Sequence, residues 1–303
     1  MACVLCNAHV NGVLFVMLQV PIILTIGPLF EGFLEGGDET LTYRERLQAK
    51  KHHQSNTWFK WLDKQPDASV VYICFGSIVN LTDTQIKELA LGIEKSGQRF
   101  LWVLREVASS PKHDHRDTNI KKMNRDLSDI LPEGFLERTK SRGIVYIEWV
   151  PQLQILAHRA VGGFLSHCGW NSTFESMCLG VPVVAMPIQA DQMMNAIFIE
   201  EMLGVAVRVN VEKGGWAETV GWELIEKAIK TLMNLDANTT GDMIRRKAMQ
   251  ISDTIERAIR SGGSSKESMV LFVELLRIRK ASMALCSTEV ETINSSAPNE
   301  HRL

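Results

Sequence analysis

The sequence predicts an α/β fold with a doubly wound parallel sheet, and three observations lead to that class. Residues 69–75 form an apolar, β-branched run that is typical of a strand buried on both faces. A helical repeat and a second apolar run at residues 100–104 complete a β-α-β unit. Short strands and helices then alternate as far as residue 209. In such a sheet the ligand crevice lies at the carboxyl ends of the strands.

The first helix of this series has clear start and stop signals. Thr82 and Gln85 form a capping box, and Gly97 marks the end of the helix. Between them the apolar residues recur at helical spacing, at Ile86, Leu89, Ala90 and Ile93.

The alternation continues with the same kinds of signal. Further strands are predicted at 143–148, 163–166, 183–186 and 205–209, with helical segments at 153–158, 172–179 and 193–202 between them. Three helical segments close the chain, at 221–235, at 242–259 and from a capping box at Ser264 and Glu267 to about residue 280. The composition then turns polar.

The segment before the first strand has a different character. Residues 31–39 are acidic and glycine-rich, which is typical of a linker. Residues 44–53 are charged and predict a solvated surface segment, whereas Trp58, Phe59 and Trp61 predict a short helical turn that docks by its aromatic rings.

Composition excludes several classes of partner. With 45% hydrophobic residues in 303, the chain can bury a sizeable core, and its formal net charge of −2 provides no field to hold a nucleic acid. The apolar run at 13–20 is too short to span a bilayer, so we expect no stable membrane insertion. The six dispersed cysteines indicate reduced thiols and a cytoplasmic protein. Cys3, Cys6 and His9 have the spacing of part of a zinc site, but no second ligand pair follows, so no metal is expected.

The residues that could carry chemistry follow the predicted strands. Residues 166–172 read as a strand end, a glycine turn and a helix start, which together form an anion site suited to a diphosphate. His167, Asn171 and Ser172 could add side-chain donors. The alternative for Ser172 and Glu175 is a capping box that needs no ligand.

Other polar and aromatic residues nearby also suit a nucleotide sugar. Glu175 could accept hydrogen bonds from a ribose diol, and Trp149 could stack on a base. Asp191 is either an N-cap or, with Gln192, a partner for sugar hydroxyls. Because Ser77, His167 and residues 189–192 each follow a predicted strand, we expect them near one another.

Taken as a whole, residues 149–192 resemble the plant secondary-product glycosyltransferase signature of the family 1 UDP-glycosyltransferases. The resemblance covers WVPQLQILAHRAVGGFLSHCGWNSTFESMCLGVPVVAMPIQADQ without a gap. It extends to family landmarks elsewhere in the chain: IGPLF, WLDKQP, YICFGS, FLWVLR and GGSS.

The resemblance implies a role for each matching residue. The uracil would stack on Trp149, with the Val150 backbone reading the base edge. The ribose would be held by Gln152 and Glu175. The diphosphate would be bound by Ser77, His167, Asn171 and Ser172, and the sugar by Trp170, Asp191 and Gln192. A glutamine at position 192 goes with UDP-glucose as donor substrate, and no cofactor is implied.

The resemblance also implies a GT-B arrangement of two Rossmann-like domains, of which the amino-terminal one holds the acceptor pocket and the catalytic histidine and aspartate. Because IGPLF is reached by residue 30, the expected division is a remnant of that domain at 1–30, a linker and docking segment at 31–68, the UDP-sugar donor-binding Rossmann-like domain at 69–280 and a disordered tail at 281–303. No catalytic residue is assigned, since the surroundings of His9 do not resemble the catalytic loop.

The predicted function is therefore a UDP-dependent glycosyltransferase that transfers glucose with inversion to a hydroxyl of a small hydrophobic plant metabolite. Without the acceptor domain, we expect this chain to be weak or inactive, and to take such an acceptor only where that domain is supplied. The alternative is a non-catalytic UDP-sugar-binding module from a shortened gene product. A nicotinamide-dependent oxidoreductase is disfavoured, because no G-x-G-x-x-G follows the strand that ends at Phe75.

Overall fold

A computed structural model describes residues 9–10, 13–14, 41–49, 56–76, 79, 81–104, 127–147, 149–209 and 219–295. Internal contacts divide the chain into two compact units, one of residues 30–260 and one of residues 1–29 with 261–303. In the smaller unit, β1 (His9–Val10) pairs antiparallel with β2 (Val13–Leu14). The rest of the predicted remnant at 1–30 lies outside the described residues.

The larger unit is built on a six-stranded sheet whose strands all run parallel. The strands are β3 (Val70–Cys74), β4 (Arg99–Val103), β5 (Gly143–Tyr146), β6 (Val161–Ser166), β7 (Val183–Ala185) and β8 (Ala206–Arg208). Their order across the sheet is β5-β4-β3-β6-β7-β8. The chain moves outward from β3 on one side and from β6 on the other, so the predicted doubly wound sheet is confirmed, with its switch point between β3 and β6.

Helices cover both faces of this sheet. They are α1 (Tyr43–Ala49), α2 (Thr57–Asp63), α3 (Asp83–Ser96), α4 (Leu127–Ile130), α5 (Phe135–Thr139), α6 (Gln152–Ala157), α7 (Trp170–Cys178), α8 (Gln192–Ile197), α9 (Trp222–Met233) and α10 (Thr240–Ile259). A π-helical turn, Phe198–Met202, continues α8. The boundaries differ from the predicted ones by one to a few residues.

Successive residues of β3 face opposite sides of the sheet, which explains its unbroken apolar run. Val71 and Ile73 lie in a core cluster with α3 and α9, and Val70 and Tyr72 lie in a second cluster with α1, α2 and α6. A third cluster joins β7 to α7, α8 and α10.

The amino-terminal end of α3 follows the sequence prediction only in part. Thr82 is the N-cap, and its hydroxyl accepts a hydrogen bond from the backbone N–H of Gln85. The side chain of Gln85 does not complete the capping box. It is buried and bonds instead to the backbone N–H and C=O of Val220.

Within residues 31–68, the described ranges 41–49 and 56–68 contain two helices, and both pack on the sheet. Trp58 and Leu62 of α2 are buried, so this helix docks through an aromatic ring. The solvated segment predicted for 44–53 is wrong where α1 lies, because Leu47 is buried and the Arg44 guanidinium donates to the carbonyls of Ala157 and Leu179. These carbonyls lie at the carboxyl ends of α6 and α7, where a cation is favoured.

The last helix, α11 (Ser264–Ser295), belongs to the smaller unit. The donor domain was predicted to reach residue 280, whereas the larger unit ends at Arg260. The disordered tail predicted for 281–303 is wrong over 281–295, which are helical; residues 296–303 lie outside the described residues. The prediction was based on polar composition. The helix continues because no glycine or proline occurs between Lys280 and Pro298 to end it. None of the helices within the described ranges is long and apolar enough to cross a bilayer.

Candidate functional site

The switch point brings together the residues that follow β3 and β6. Gly76 comes two residues after β3, and His167 directly follows β6. A Cβ atom on Gly76 would lie 2.7 Å from Cε1 of His167, and one on Gly169 would lie 2.5 Å from its Nε2. The imidazole of His167 is therefore enclosed at a place where only glycine neighbours leave room for it. Ser77, predicted to bind the diphosphate, lies outside the described residues.

Enclosure sets the charge of His167. Burial lowers the pKa of the imidazole to about 4, although Asp191 acts in the opposite direction. The ring is therefore neutral near pH 7 and carries one N–H donor and one acceptor. Its Nδ1 is buried and has no hydrogen-bond partner within the described part of the chain. A ligand at this end of the sheet would meet an uncharged ring.

The turn after β6 leads directly into α7. Cys168 has a left-handed backbone with φ 62°, which is strained for a residue other than glycine. Gly169 is the N-cap of α7, and no side chain caps the helix. The first-turn amides are therefore available to an anion, with the helix dipole behind them.

The capping-box alternative for Ser172 and Glu175 is wrong. Ser172 is the third residue of α7 rather than its N-cap. The hydroxyl of Ser172 and the carboxylate of Glu175 instead accept hydrogen bonds from Nε2 of Gln152, at 3.0 and 2.7 Å. Three predicted site residues are thus joined in one polar cluster, although they belong to two helices.

The cluster rests on the sheet and is partly enclosed. The Tyr72 hydroxyl, from β3, lies 3.4 Å from Oε1 of Gln152. Burial raises the pKa of Glu175, and the hydrogen bond from Gln152 acts against that shift. Tyr72 was predicted only as a strand residue, because nothing in a local apolar run indicates that its hydroxyl reaches a site residue.

Two tryptophans lie at the surface of this region. The side chain of Trp149 is 82% exposed, three residues before Gln152, while Val150 beside it is buried. A solvent-exposed indole ring is suited to stack on a planar ligand. Trp170 is half-exposed, and its ring packs on Phe174 and Phe198 at centroid distances of 5.8 and 6.4 Å. Asn171, next to it, is exposed.

The start of α8 carries the last two predicted site residues, Asp191 just before the helix and Gln192 as its first residue. Asp191 is exposed and occupies the N-cap position of α8, as the N-cap alternative predicted, but its side chain makes no capping hydrogen bond. Gln192 is buried, and its Oε1 accepts from the backbone N–H groups of Ile188 and Gln189 at 2.9 and 2.8 Å. Its amide nitrogen is the group that remains to meet a ligand.

Sequence reasoning missed Asn195, which connects this segment to the turn after β6. Its Nδ2 donates to the carbonyl oxygen of Cys168 at 3.0 Å and to Oδ2 of Asp191 at 2.9 Å. The spacing of four residues between Asp191 and Asn195 is the signal that could have indicated this pair, although the helix was predicted to begin only at residue 193.

Neither a metal centre nor a histidine base is apparent among the described residues. No group of three His, Cys, Asp or Glu side chains there could hold a metal ion. His158 contacts Asp63 at 3.2 Å, but its Nδ1 accepts from the N–H of Ala160, so both ring nitrogens are occupied by the protein. The arrangement therefore offers three groups that together can bind a nucleotide. They are the uncapped start of α7, the Glu175 carboxylate, which can accept hydrogen bonds from a ribose diol, and the exposed indole of Trp149.

Comparison with known proteins agrees with this chemistry. The family model for "UDP-glucoronosyl and UDP-glucosyl transferase" matches residues 45–252. UDP-glycosyltransferase 43 of Pueraria montana var. lobata is 44% identical over 217 residues, which are 72% of this chain and 44% of that protein. Anthocyanidin 5,3-O-glucosyltransferase of a Rosa hybrid cultivar is 39% identical over 257 residues, 84% of this chain and 48% of that protein.

Solved structures show the same relationship. UGT71G1 of Medicago truncatula, in complex with UDP-glucose, is 35% identical with a TM-score of 0.64, over 84% of this chain and 48% of that chain. UGT2 of Phytolacca americana, in complex with UDP-2fluoro-glucose and pterostilbene, gives the same values. The sheet is thus the α/β, Rossmann-like domain of a GT-B glycosyltransferase, and this chain spans about half the length of the relatives it matches. The chain belongs to the UDP-glucuronosyl and UDP-glucosyl transferase family, as its resemblance to the plant family 1 enzymes predicted.

Proposed function

We propose that this chain is the donor-binding half of an inverting glycosyltransferase and that it binds UDP-glucose at the carboxyl ends of β3 and β6. The observation that carries the proposal is the polar cluster of Gln152, Ser172 and Glu175 beside the uncapped start of α7. A ribose diol and a diphosphate are chemically adjacent in a nucleoside diphosphate. A diol acceptor and an anion site are adjacent on α7 in the same way.

Each part of UDP-glucose is assigned to its own set of residues, from the uracil to the glucose. Uracil stacks on the exposed Trp149, and the backbone of Val150 reads the base edge. The ribose hydroxyls donate to Glu175, whose carboxylate Gln152 already orients. The diphosphate is bound by Ser77, His167, Asn171 and Ser172, and the glucose by Trp170, Asp191 and Gln192.

The neutral state of His167 suits this role. An imidazole with a pKa of about 4 is uncharged near pH 7, so its N–H donates to a phosphate oxygen without adding a fixed positive charge. The helix dipole and the first-turn amides of α7 supply the remaining stabilisation of the diphosphate. We propose that donor binding needs neither a metal nor a further cofactor.

The acceptor is proposed to be a small hydrophobic molecule with a hydroxyl group, bound by a domain that faces this crevice. The Phytolacca americana structure is a complex with both UDP-2fluoro-glucose and pterostilbene, which supports this class. Transfer with inversion needs a base for the acceptor hydroxyl, which contributes about 10²–10⁴-fold in rate, and acceptor positioning can contribute more. We therefore expect weak transfer, or none, by this chain alone, and a donor-binding module is the alternative function.

We further propose that the protein works in the cytoplasm. Cys74, Cys168 and Cys178 are free cysteines, and burial raises the pKa of all three thiols. Protonated, buried thiols of this kind are stable in a reducing compartment.

Substitution of Trp149 tests the donor site directly. We expect Trp149→Ala to weaken UDP binding by roughly ten- to a hundredfold, as lost base stacking does, in isothermal titration calorimetry. The melting temperature should not change, because the side chain is 82% exposed. Trp149→Phe should retain most of the affinity, and Ile147→Ala, at an exposed neighbouring position, should bind as the parent does. Equal affinity in Trp149→Ala and the parent would refute the stacking role.

Turnover by the purified chain tests the proposed division of labour. The chain is incubated with radiolabelled UDP-glucose and a panel of small phenols, and a full-length family member is assayed in parallel. We expect no glucoside above background from this chain, although it binds UDP-glucose. Robust transfer would show that the chain is a complete enzyme and would overturn the proposal that it is a donor-binding half.

A further inference from the structure

Two strained backbone positions lie in the segments that carry the proposed donor site. Cys168 lies in the turn after β6, and Ala190 lies in the loop before α8, with φ values of 62° and 56°. A residue other than glycine keeps a left-handed conformation only where its surroundings hold it. Some contact must therefore fix these two segments, which carry the diphosphate end and the glucose end of the proposed donor site.

Asn195 supplies a direct connection between them. Its side chain is 9% exposed, and its single amide NH2 group donates both hydrogens. One reaches the carbonyl oxygen of Cys168 at 3.0 Å, and the other reaches Oδ2 of Asp191 at 2.9 Å. Serine, aspartate or an aliphatic side chain at this position could not donate two hydrogen bonds at once.

We propose that Asn195 is a positioning residue that fixes the Asp191 carboxylate relative to the start of α7, and so determines how strongly the glucose of the donor contributes to binding. The proposal rests on the proposed function, in which Asp191 accepts from a glucose hydroxyl. With Oδ2 held by Asn195, Oδ1 is the oxygen that meets the sugar. Without that bond, an exposed carboxylate samples several rotamers, and ordering it on binding lowers the affinity.

A purely structural role for Asn195 makes a different prediction. If the amide only stabilises the turn at Cys168, its loss should disturb the start of α7 and weaken UDP and UDP-glucose alike. If it acts through Asp191, its loss should affect UDP-glucose selectively. The ratio of the two dissociation constants therefore separates the two roles, whatever the change in stability.

The experiment measures dissociation constants for UDP and for UDP-glucose in the parent chain, Asn195→Ala, Asp191→Asn and the double variant. We expect each single substitution to weaken UDP-glucose by roughly fivefold relative to UDP, the size of one hydrogen bond, and the double variant to lose no more than the larger single effect. Met194→Ala is the control, since this neighbouring side chain is 72% exposed and should leave the ratio unchanged.

Each other outcome counts against the proposal. If Asp191→Asn changes the ratio and Asn195→Ala does not, or if their effects add, Asn195 does not act through Asp191, although the donor site stands. If Asp191→Asn leaves the ratio unchanged, the glucose role of Asp191 fails and the inference fails with it. Should Asn195→Ala not fold, Asn195→Leu, which has a similar volume and no donor, must show the same selective loss.

Discussion

At the scale of a single residue, His167 owes its chemistry to its neighbours. Gly76 and Gly169 leave the space that its ring occupies, and burial there lowers the pKa of the imidazole to about 4. The histidine and the glycines are visible in the sequence, but the enclosure is not. Gly76 approaches His167 only because β3 and β6 are adjacent in the sheet.

The lowered pKa makes stability depend on pH. Below pH 6.5 the unfolded chain binds a proton at His167 and the folded chain does not, so the free energy of unfolding should fall as the pH drops from 6.5 towards 4. The fall is at most about 3 kcal/mol, and it should level off below pH 4. Urea unfolding at several pH values checks this prediction.

The comparison with His167→Gln isolates the contribution of this ring. Carboxylates elsewhere titrate in both proteins, so the difference between the two curves reports His167 alone. The parent should lose stability relative to the variant between pH 6.5 and pH 4. Parallel curves over this range would contradict a buried, neutral imidazole.

At the scale of elements, the same sequence pattern has two outcomes. Thr82 caps α3 as predicted, because its own backbone is extended and its hydroxyl accepts from the N–H of Gln85. Ser172 begins an identical Ser/Thr-x-x-Glu/Gln pattern, yet α7 starts two residues earlier at Trp170, and the polar groups of Ser172 and Glu175 bond to Gln152. A local pattern cannot report which partner a side chain finds from another helix.

Substitutions at Gln85 and Thr82 test whether the partner from a distant segment or the local cap contributes more to the stability of α3. Its amide pairs with both backbone groups of Val220, so Gln85→Ala should leave a buried N–H and C=O unpaired and destabilise the fold by about 2–4 kcal/mol. Thr82→Ala should cost about 1 kcal/mol, the usual effect of losing an N-cap. Chemical denaturation measures both, with Lys87→Ala, at an exposed position on the same helix, as the control.

A ranking in which Thr82→Ala is the more damaging change would contradict the assignment of Gln85 to Val220. It would indicate instead that the capping box predicted from the sequence is the main contribution of this pair to stability.

At the scale of the larger unit, residues that precede the sheet in the chain complete its core. Trp58 and Leu62 of α2 lie in the cluster that covers one face of β3 and β6, together with Tyr43 and Leu47 of α1. The segment predicted as linker and docking segment thus contributes core residues as well as a connection.

Trp58 is therefore expected to be essential for stability. Its side chain is 1% exposed, and Trp58→Ala should cost about 3–5 kcal/mol in the free energy of unfolding. Trp61→Ala, on the same helix at a half-buried position, should cost less. Since small domains have only about 5–15 kcal/mol of stability, the Trp58 variant should show a much lower denaturation midpoint. Equal midpoints for the two variants would show that α2 does not contribute a core residue.

The sequence by itself determined the fold class and the position of most strands, and it predicts the residues of the proposed donor site. Those features are carried by local signals: a β-branched run buried on both faces, a glycine stop, and polar residues placed just after strands. It also determined the family, because 44 consecutive residues of one chain match its signature.

The tertiary structure decided what depends on distant partners. Gln85 and Val220 are 135 positions apart, Arg44 and Leu179 are also 135 apart, and Gln152 meets Glu175 from another helix. Asn195 joins the loop before α8 to the turn after β6 in the same way. The spacing of residues along the chain does not encode such pairs, because they form only once parallel strands place separate segments at one edge of a sheet.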